Sequence, residues 1–253
     1  MPVNLAPPQN ERRGDIAMIR KGSRGVAVVV GAGAGLGAGL ARRFAAGGME
    51  VAIASRDAAH ARHLAEEVGA HGYACDASSE TSVERFFGEV RGELGEPELV
   101  VYNASGFLRK SVLEIEAEEF ERQWQTTCMG GFLVGREAAR GMVGHGGGTL
   151  IFTGATACYK GSANFAGFAV GKFGLRGLAQ SMARELGPKK VHVAIVNIDG
   201  EINGPAHAHE IPEKGIDALL DPDAIAETYW ALHMQHHTAW THEVDLRPAI
   251  ERW

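Results

Sequence analysis

The sequence predicts an α/β fold: a doubly wound parallel sheet with helices on both faces, in a single domain. Three observations predict it. Apolar runs of strand length alternate with helical patterns along the chain. The first run, Val26–Val30 (VAVVV), is continuously apolar, as in a strand covered on both faces. A glycine cluster follows that run and opens the first helix. Strict alternation of strand and helix leaves a parallel sheet as the simplest arrangement, because each crossover helix carries the chain back to the same end of the sheet.

The elements follow in order. After Val26–Val30 comes a helical stretch, LGAGLARRFAAGG, closed by Gly47 and Gly48. Val51–Ala54 is the second strand, and Asp57 has the character of an N-cap for a helix running to Val68. Tyr73–Cys75 is a third short strand. Ser82–Leu94 follows as a helix with Val83, Phe86, Phe87, Val90 and Leu94 on one side. Leu99–Tyr102 is the fourth strand, and one long helix is expected over Glu118–Met142. Thr149–Thr153, Phe165–Leu186 and Val191–Val196 read as strand, long helix and strand. Residues 197–221 show no period; within them Ile202–Ile216, mixing Ala, Pro, His and Glu, is a candidate lid. Asp221-Pro222 pairs a cap with proline at the first helical position, opening a helix that carries Ile225, Tyr229 and Leu232. The tail beyond Gln235 is rich in His and Trp and reads as ordered. The domain is expected over 25–253, behind a Pro-rich, charged, flexible arm over 1–24 with no apolar core of a secretory signal.

Composition excludes several classes. The 253 residues carry a net charge of −6, which leaves no excess of positive charge for nucleic acid. The three cysteines, Cys75, Cys128 and Cys158, are few and scattered, against a disulfide framework or a thiolate zinc site and for a reducing, cytoplasmic setting. No apolar run approaches the ~18 residues of a membrane span. A small-molecule substrate is the expected partner.

Gly31-Ala32-Gly33-Ala34-Gly35-Leu36-Gly37 lies between the first strand and first helix. Glycines there let backbone approach a pyrophosphate, and the helix N-terminus offers free N–H groups to it. The spacing is G-x-x-x-G-x-G, at Gly31, Gly35 and Gly37. The second strand then ends in Ser55-Arg56-Asp57. Ser55 stands where an NAD enzyme places an acid for the ribose 2′-OH, and Arg56 suits the 2′-phosphate of NADP. The expected cofactor is therefore NADP, with NAD as the alternative.

These landmarks, in order, resemble the short-chain dehydrogenase/reductase family over residues 25 to 235. Gly31, Gly35 and Gly37 match its glycine motif, and Asp76 matches its adenine contact after the third strand. Asn103-Ala104 matches the middle of its N-N-A-G, with Tyr102 and Ser105 as departures; Lys172 sits at its lysine, and Asp199-Gly200 at its Pro-Gly. The resemblance implies a Rossmann-type sheet. It implies cofactor contacts from Gly31, Gly35, Leu36, Gly37, Ser55, Arg56, Asp76, Ala77, Asn103, Lys172, Gly200 and Ile202. It also implies a homotetramer or homodimer paired through the two long helices. Phe165, Leu175, Leu178 and Met182 are the apolar residues expected there, with further contacts from the tail Trp240–Trp253.

The reacting residues depart from the family. Its proton-donor Tyr falls at Phe168, its Ser near Ala155 and its helix Asn at Thr127. A phenyl ring exchanges no proton, and a positioned acid or base contributes ~10²–10⁴ in rate. Lys172, Thr156 and Tyr159 are the remaining catalytic candidates, with Thr153 a second flanking hydroxyl. His207 and His209 precede Glu210 and read as a polar lid; His233 and His237, one turn apart, could share a helical face, but no acidic base of the H-E-x-x-H kind lies between them, so no metal site is expected. The reading that follows is an NAD(P)-dependent oxidoreductase with an atypical site, acting on a small carbonyl or enone. The alternative is a non-redox protein of the same fold. It would bind dinucleotide as a sensor or scaffold, or catalyse cyclisation or elimination.

Overall fold

The computed structural model describes residues 25–250 apart from Ala206, so the arm expected over 1–24 lies outside the described residues. Strand β1, Val26–Val30, is buried at all five positions. Its side chains alternate between two cores: Val26, Val28 and Val30 enter one, Ala27 and Val29 the other. Helix α1 (Leu36–Ala46) leads to β2 (Glu50–Ser55), and α2 (Ala58–Val68) to β3 (His71–Ala74). Asp57 caps α2 as its type predicts, accepting from the Ala59 and His60 amides at 2.8 and 3.2 Å. Ser79 caps α3 (Glu80–Glu93), and β4 (Pro97–Tyr102) follows.

The helix expected over Glu118–Met142 is interrupted. Helix α4 (Ala117–Trp124) passes through a π turn at Gln125–Met129 into α5 (Gly130–Gly144). A wider turn leaves a carbonyl for a side chain to use, and the Tyr102 hydroxyl donates to the Thr126 carbonyl. Strand β5 (Gly148–Ala155), helix α6 (Ala166–Leu186) and β6 (Val191–Ile198) complete the alternation. The aperiodic stretch holds only short turns around α7 (Ile211–Lys214). Helix α8 (Pro222–His233) is capped by Asp221, which accepts from Asp223 N at 2.8 Å.

The tail contributes a seventh strand, β7 (Glu243–Leu246), which the sequence reading lacked. Four residues are too few for an alternation to register. Its register against β6 pairs Ile195 with Glu243 and Ile198 with Leu246. All pairings are parallel, in the order β3-β2-β1-β4-β5-β6-β7. Helices α1, α2 and α8 cover one face through Phe44, Leu64 and Tyr229. Helices α3, α5 and α6 cover the other through Phe86, Val134 and Leu175. Each such apolar side chain fully buried is worth roughly 1.5–3 kcal/mol.

Two apolar expectations shift. Leu175 is buried in the core and Leu178 and Met182 pack against it, so the outward residues of α6 are Val170 and Phe173, both near half exposed. Trp240 stacks on His192 within the chain, centroids 4.8 Å apart, and Trp253 lies outside the described residues.

Candidate active site

The strand order reverses between β1 and β4, which opens a crevice beyond their C-terminal ends. Gly31 turns there with φ +90°, and a Cβ on it would meet the Ala104 amide at 2.3 Å. Asn103 locks the two loops together: its side-chain amide donates to the Gly31 carbonyl at 2.9 Å and its backbone N–H to Val30 O at 2.8 Å. A Cβ at Gly37 would press on Ala32 Cα at 2.7 Å, so that glycine serves helix packing; Gly33 faces open space. Leu36 is buried at the start of α1, whose first turn carries no acid to neutralise the N-terminal dipole. A pyrophosphate fits this cradle, because its backbone is bare, Gly31 and Gly37 leave no room for a side chain, and its helix end is positive. The segment carrying Gly200 and Ile202 leans onto the cradle, where a Cβ at Gly204 would lie 3.4 Å from Gly35 Cα. Ile202 bridges to Leu220 at the base of that segment.

At the far end of the crevice, the Ser55 hydroxyl donates to Asp57 O at 2.8 Å and accepts from Asp57 N at 3.1 Å. The His60 and Ala59 amides hold the Asp57 carboxyl below its ordinary range, so its charge is committed to the helix. Arg56 is exposed beside them. Asp76 accepts from the Ser78 amide and hydroxyl at 3.0 and 2.7 Å, next to buried Ala77.

The reacting end is built from β5, β6 and α6. Lys172 is buried, donates to the Thr153 carbonyl at 2.8 Å, and lies 5.8 Å from the centroid of the Phe168 ring. Burial pulls its amine down to about 8. Phe168 packs edge-on against Phe107, centroids 5.3 Å apart, with Phe165 beyond. Thr127 is buried in the π turn and accepts from the Gly106 amide at 3.0 Å. The Thr153 hydroxyl faces the opposite core, bonded to Tyr229 at 2.9 Å, and so points away from Lys172.

Thr156 is different. Its hydroxyl donates to the Asp199 carboxylate, whose other oxygen lies 3.3 Å from the Arg247 guanidinium. Tyr159 stands beside them, 38% exposed, its phenol raised by burial and by the Asp199 charge. The structure thus brings Gly31 to Asn103, Lys172 to Phe168, and Thr156 and Tyr159 to Asp199.

The family model for short chain dehydrogenases matches residues 25–215. The chain belongs to the short-chain dehydrogenase family. A family member from Armillaria gallica, a short-chain dehydrogenase/reductase, is 36% identical over 192 residues, 73% of each chain. A solved short-chain dehydrogenase from Rhodopseudomonas palustris is 37% identical with a TM-score of 0.75, over 89% of this chain and 99% of that one. The 3-ketoacyl-(acyl-carrier-protein) reductase from Brucella melitensis, solved with NADH, is 26% identical with a TM-score of 0.80, over 90% and 98%.

Within this short-chain dehydrogenase, the sequence reading missed the carboxylate of Asp199 as a meeting point and missed Arg247 entirely. Aspartate at the family's Pro position was the available signal for the first; nothing local signals the second. His233 and His237 do not share a helical face. Helix α8 ends at His233, whose Nδ1 bonds Thr149 Oγ1 at 3.0 Å, and His237 lies in the following turn against His236. Glu201, His207 and Glu210 form a cluster of metal-ligand type among the described residues, with His207 Nδ1 2.7 Å from Glu210 Oε1. No described helix is long and apolar enough to cross a membrane.

Proposed function

We propose that this chain is an NADP-preferring oxidoreductase with an atypical active site, acting on a small carbonyl or enone. The observation that carries the reading is the glycine cradle, where Gly31 at φ +90° is tied to Asn103 in front of an acid-free helix end. Gly31, Gly35, Leu36 and Gly37 would hold the pyrophosphate, and Asp76 and Ala77 the adenine. Asn103, Lys172, Gly200 and Ile202 would hold the nicotinamide side. Ser55 and exposed Arg56 would take the 2′-phosphate, since the nearby Asp57 carboxylate is already bonded to its helix. The Brucella relative solved with NADH leaves the choice of cofactor to these residues rather than to the fold.

When bound, the cofactor supplies hydride chemistry. The chain supplies Lys172 as a buried positioning group and hydroxyls at Thr156 and Tyr159 beside the substrate loop. We further place the protein in the reducing cytoplasm, in keeping with three free thiols, as a homodimer or homotetramer pairing through the exposed apolar residues of α5 and α6.

The second reading, a non-redox protein that keeps the cradle, is favoured by one observation: Phe168 and Ala155 stand where the family's acid and hydroxyl belong. Calorimetric titration with NADPH and NADH tests the first reading. A panel of ketones and enones followed at the nicotinamide absorbance comes next. Tight NADPH binding with turnover supports the oxidoreductase; binding without turnover across the panel supports the second reading; no binding refutes both dinucleotide readings.

A further inference from the structure

The geometry points to Asp199 as the proton acceptor that replaces the missing phenol, reached through the Thr156 hydroxyl and held by Arg247, the residue after β7. This rests on the oxidoreductase reading above. The placement follows from register. Ala155 ends β5 opposite Ile198 at the end of β6, so Thr156 and Asp199 are the first residues past a paired strand end, side by side at the crevice. The Thr156 hydroxyl donates to Asp199 Oδ1, and Arg247 Nη1 lies 3.3 Å from Oδ2. The Asp199 amide in turn donates to Leu246 O at 2.8 Å, which fixes the residue against β7. The side chains of Asp199 and Arg247 are 19% and 16% exposed: shielded, yet not sealed from the crevice.

A hydroxyl that gives its proton to a carboxylate still has lone pairs to accept another. In the oxidising direction, the substrate alcohol passes its proton to the Thr156 oxygen while Thr156 passes its own to Asp199 Oδ1. With a nicotinamide dinucleotide bound, the cofactor would supply the hydride acceptor: the carbinol C–H bond would break with its electron pair, the C=O bond would form, the alcohol would be oxidised, and the proton would rest on Asp199. Reduction runs the same steps backwards. Thr156 sits one residue past Ala155, so the relay is displaced by one residue from the position where the hydroxyl was lost.

The Tyr159 side chain, from the loop after β5, is hydrogen-bonded to Asp199 and also feels the charges of Asp245 and Arg247 from the β7 side. Burial raises the Tyr159 phenol first, followed by the charges of Asp199 and Asp245, with Arg247 opposing. The other three tyrosines are also raised, Tyr102 and Tyr229 by burial and Tyr73 by burial and by Glu93.

The test uses the full chain with NADP⁺ and two probe alcohols, 1-phenylethanol and cyclohexanol. Asp199→Asn and Thr156→Val are expected to lower kcat by ~10²–10⁴, the contribution of a positioned base, with NADPH affinity by fluorescence titration unchanged. Thr156→Ser should retain turnover, and formate added to Asp199→Ala should restore part of it. A readout independent of activity is the phenolate absorbance of the apo protein under alkaline titration. Asp199→Asn should let the first tyrosine ionise at lower pH than in the wild type. Wild-type rates in Asp199→Asn, or an unmoved tyrosine titration, overturn the inference and leave the oxidoreductase reading standing. Wild type that binds NADPH but oxidises neither alcohol also overturns the inference. Wild type that does not bind NADPH overturns both.

Discussion

Lys172 lies beneath the Phe168 ring, Nζ 5.8 Å from the centroid, and donates to the Thr153 carbonyl at 2.8 Å. One helical turn separates the two residues on α6. A phenol at position 168 would therefore stand directly beside the cation that could lower its pKa.

Phe168→Tyr combined with Ala155→Ser should create or raise carbonyl reductase activity on the order of tenfold or more. NADPH consumption over a ketone panel measures it. A double variant that binds NADPH yet reduces nothing would move the non-redox reading to first place.

Lys172 also carries a stability signature. Its amine falls to about 8 from an ordinary 10.5 because burial disfavours the charge. Below pH 8 the folded and unfolded chains are both charged there, and holding that charge inside costs about 3 kcal/mol. Between pH 8 and 10.5 the unfolded chain keeps a proton that the folded one has shed, so this cost fades as pH rises. Lys172→Met should match or exceed wild-type stability at neutral pH and lose that advantage by pH 10.5. Urea unfolding of both proteins across this range checks it.

Arg56→Ala should weaken NADPH binding about tenfold or more and leave NADH binding nearly unchanged, because only NADPH carries the 2′-phosphate. Calorimetry with both cofactors decides it. Equal losses, or a wild type that prefers NADH, would refute the assignment.

Phe173 projects from α6 with 46% of its surface exposed, near Val170 at 45%. Phe173→Glu should shift the particle mass toward the monomer in light scattering at micromolar concentration, since an acid there would be buried unpaired in any pairing of these helices. A wild type that already runs as a monomer would contradict the proposed assembly.

The sheet was legible because Val26–Val30, Leu99–Tyr102 and Val191–Val196 are buried on both faces and read as continuous apolar runs. The glycine loop was legible because the backbone at Gly31 and Gly37 excludes side chains. What escaped depends on distance in sequence. The π turn shows itself only when Tyr102 arrives beneath it. Thr153 looks like a spare hydroxyl until Tyr229, 76 residues on, takes it. Asp199 looks like a loop acid until Arg247 closes on it.

Strand β7 pairs only with β6, at the sheet's edge, from the last stretch of chain described. Removing the chain from Glu243 onward would take away both this strand and Arg247. The six strands left would keep the cradle in which Asn103 donates to Gly31, while Asp199 would lose its cation and the Leu246 carbonyl that its amide bonds. One wall of the crevice thus hangs on an edge strand of four residues, and the other does not.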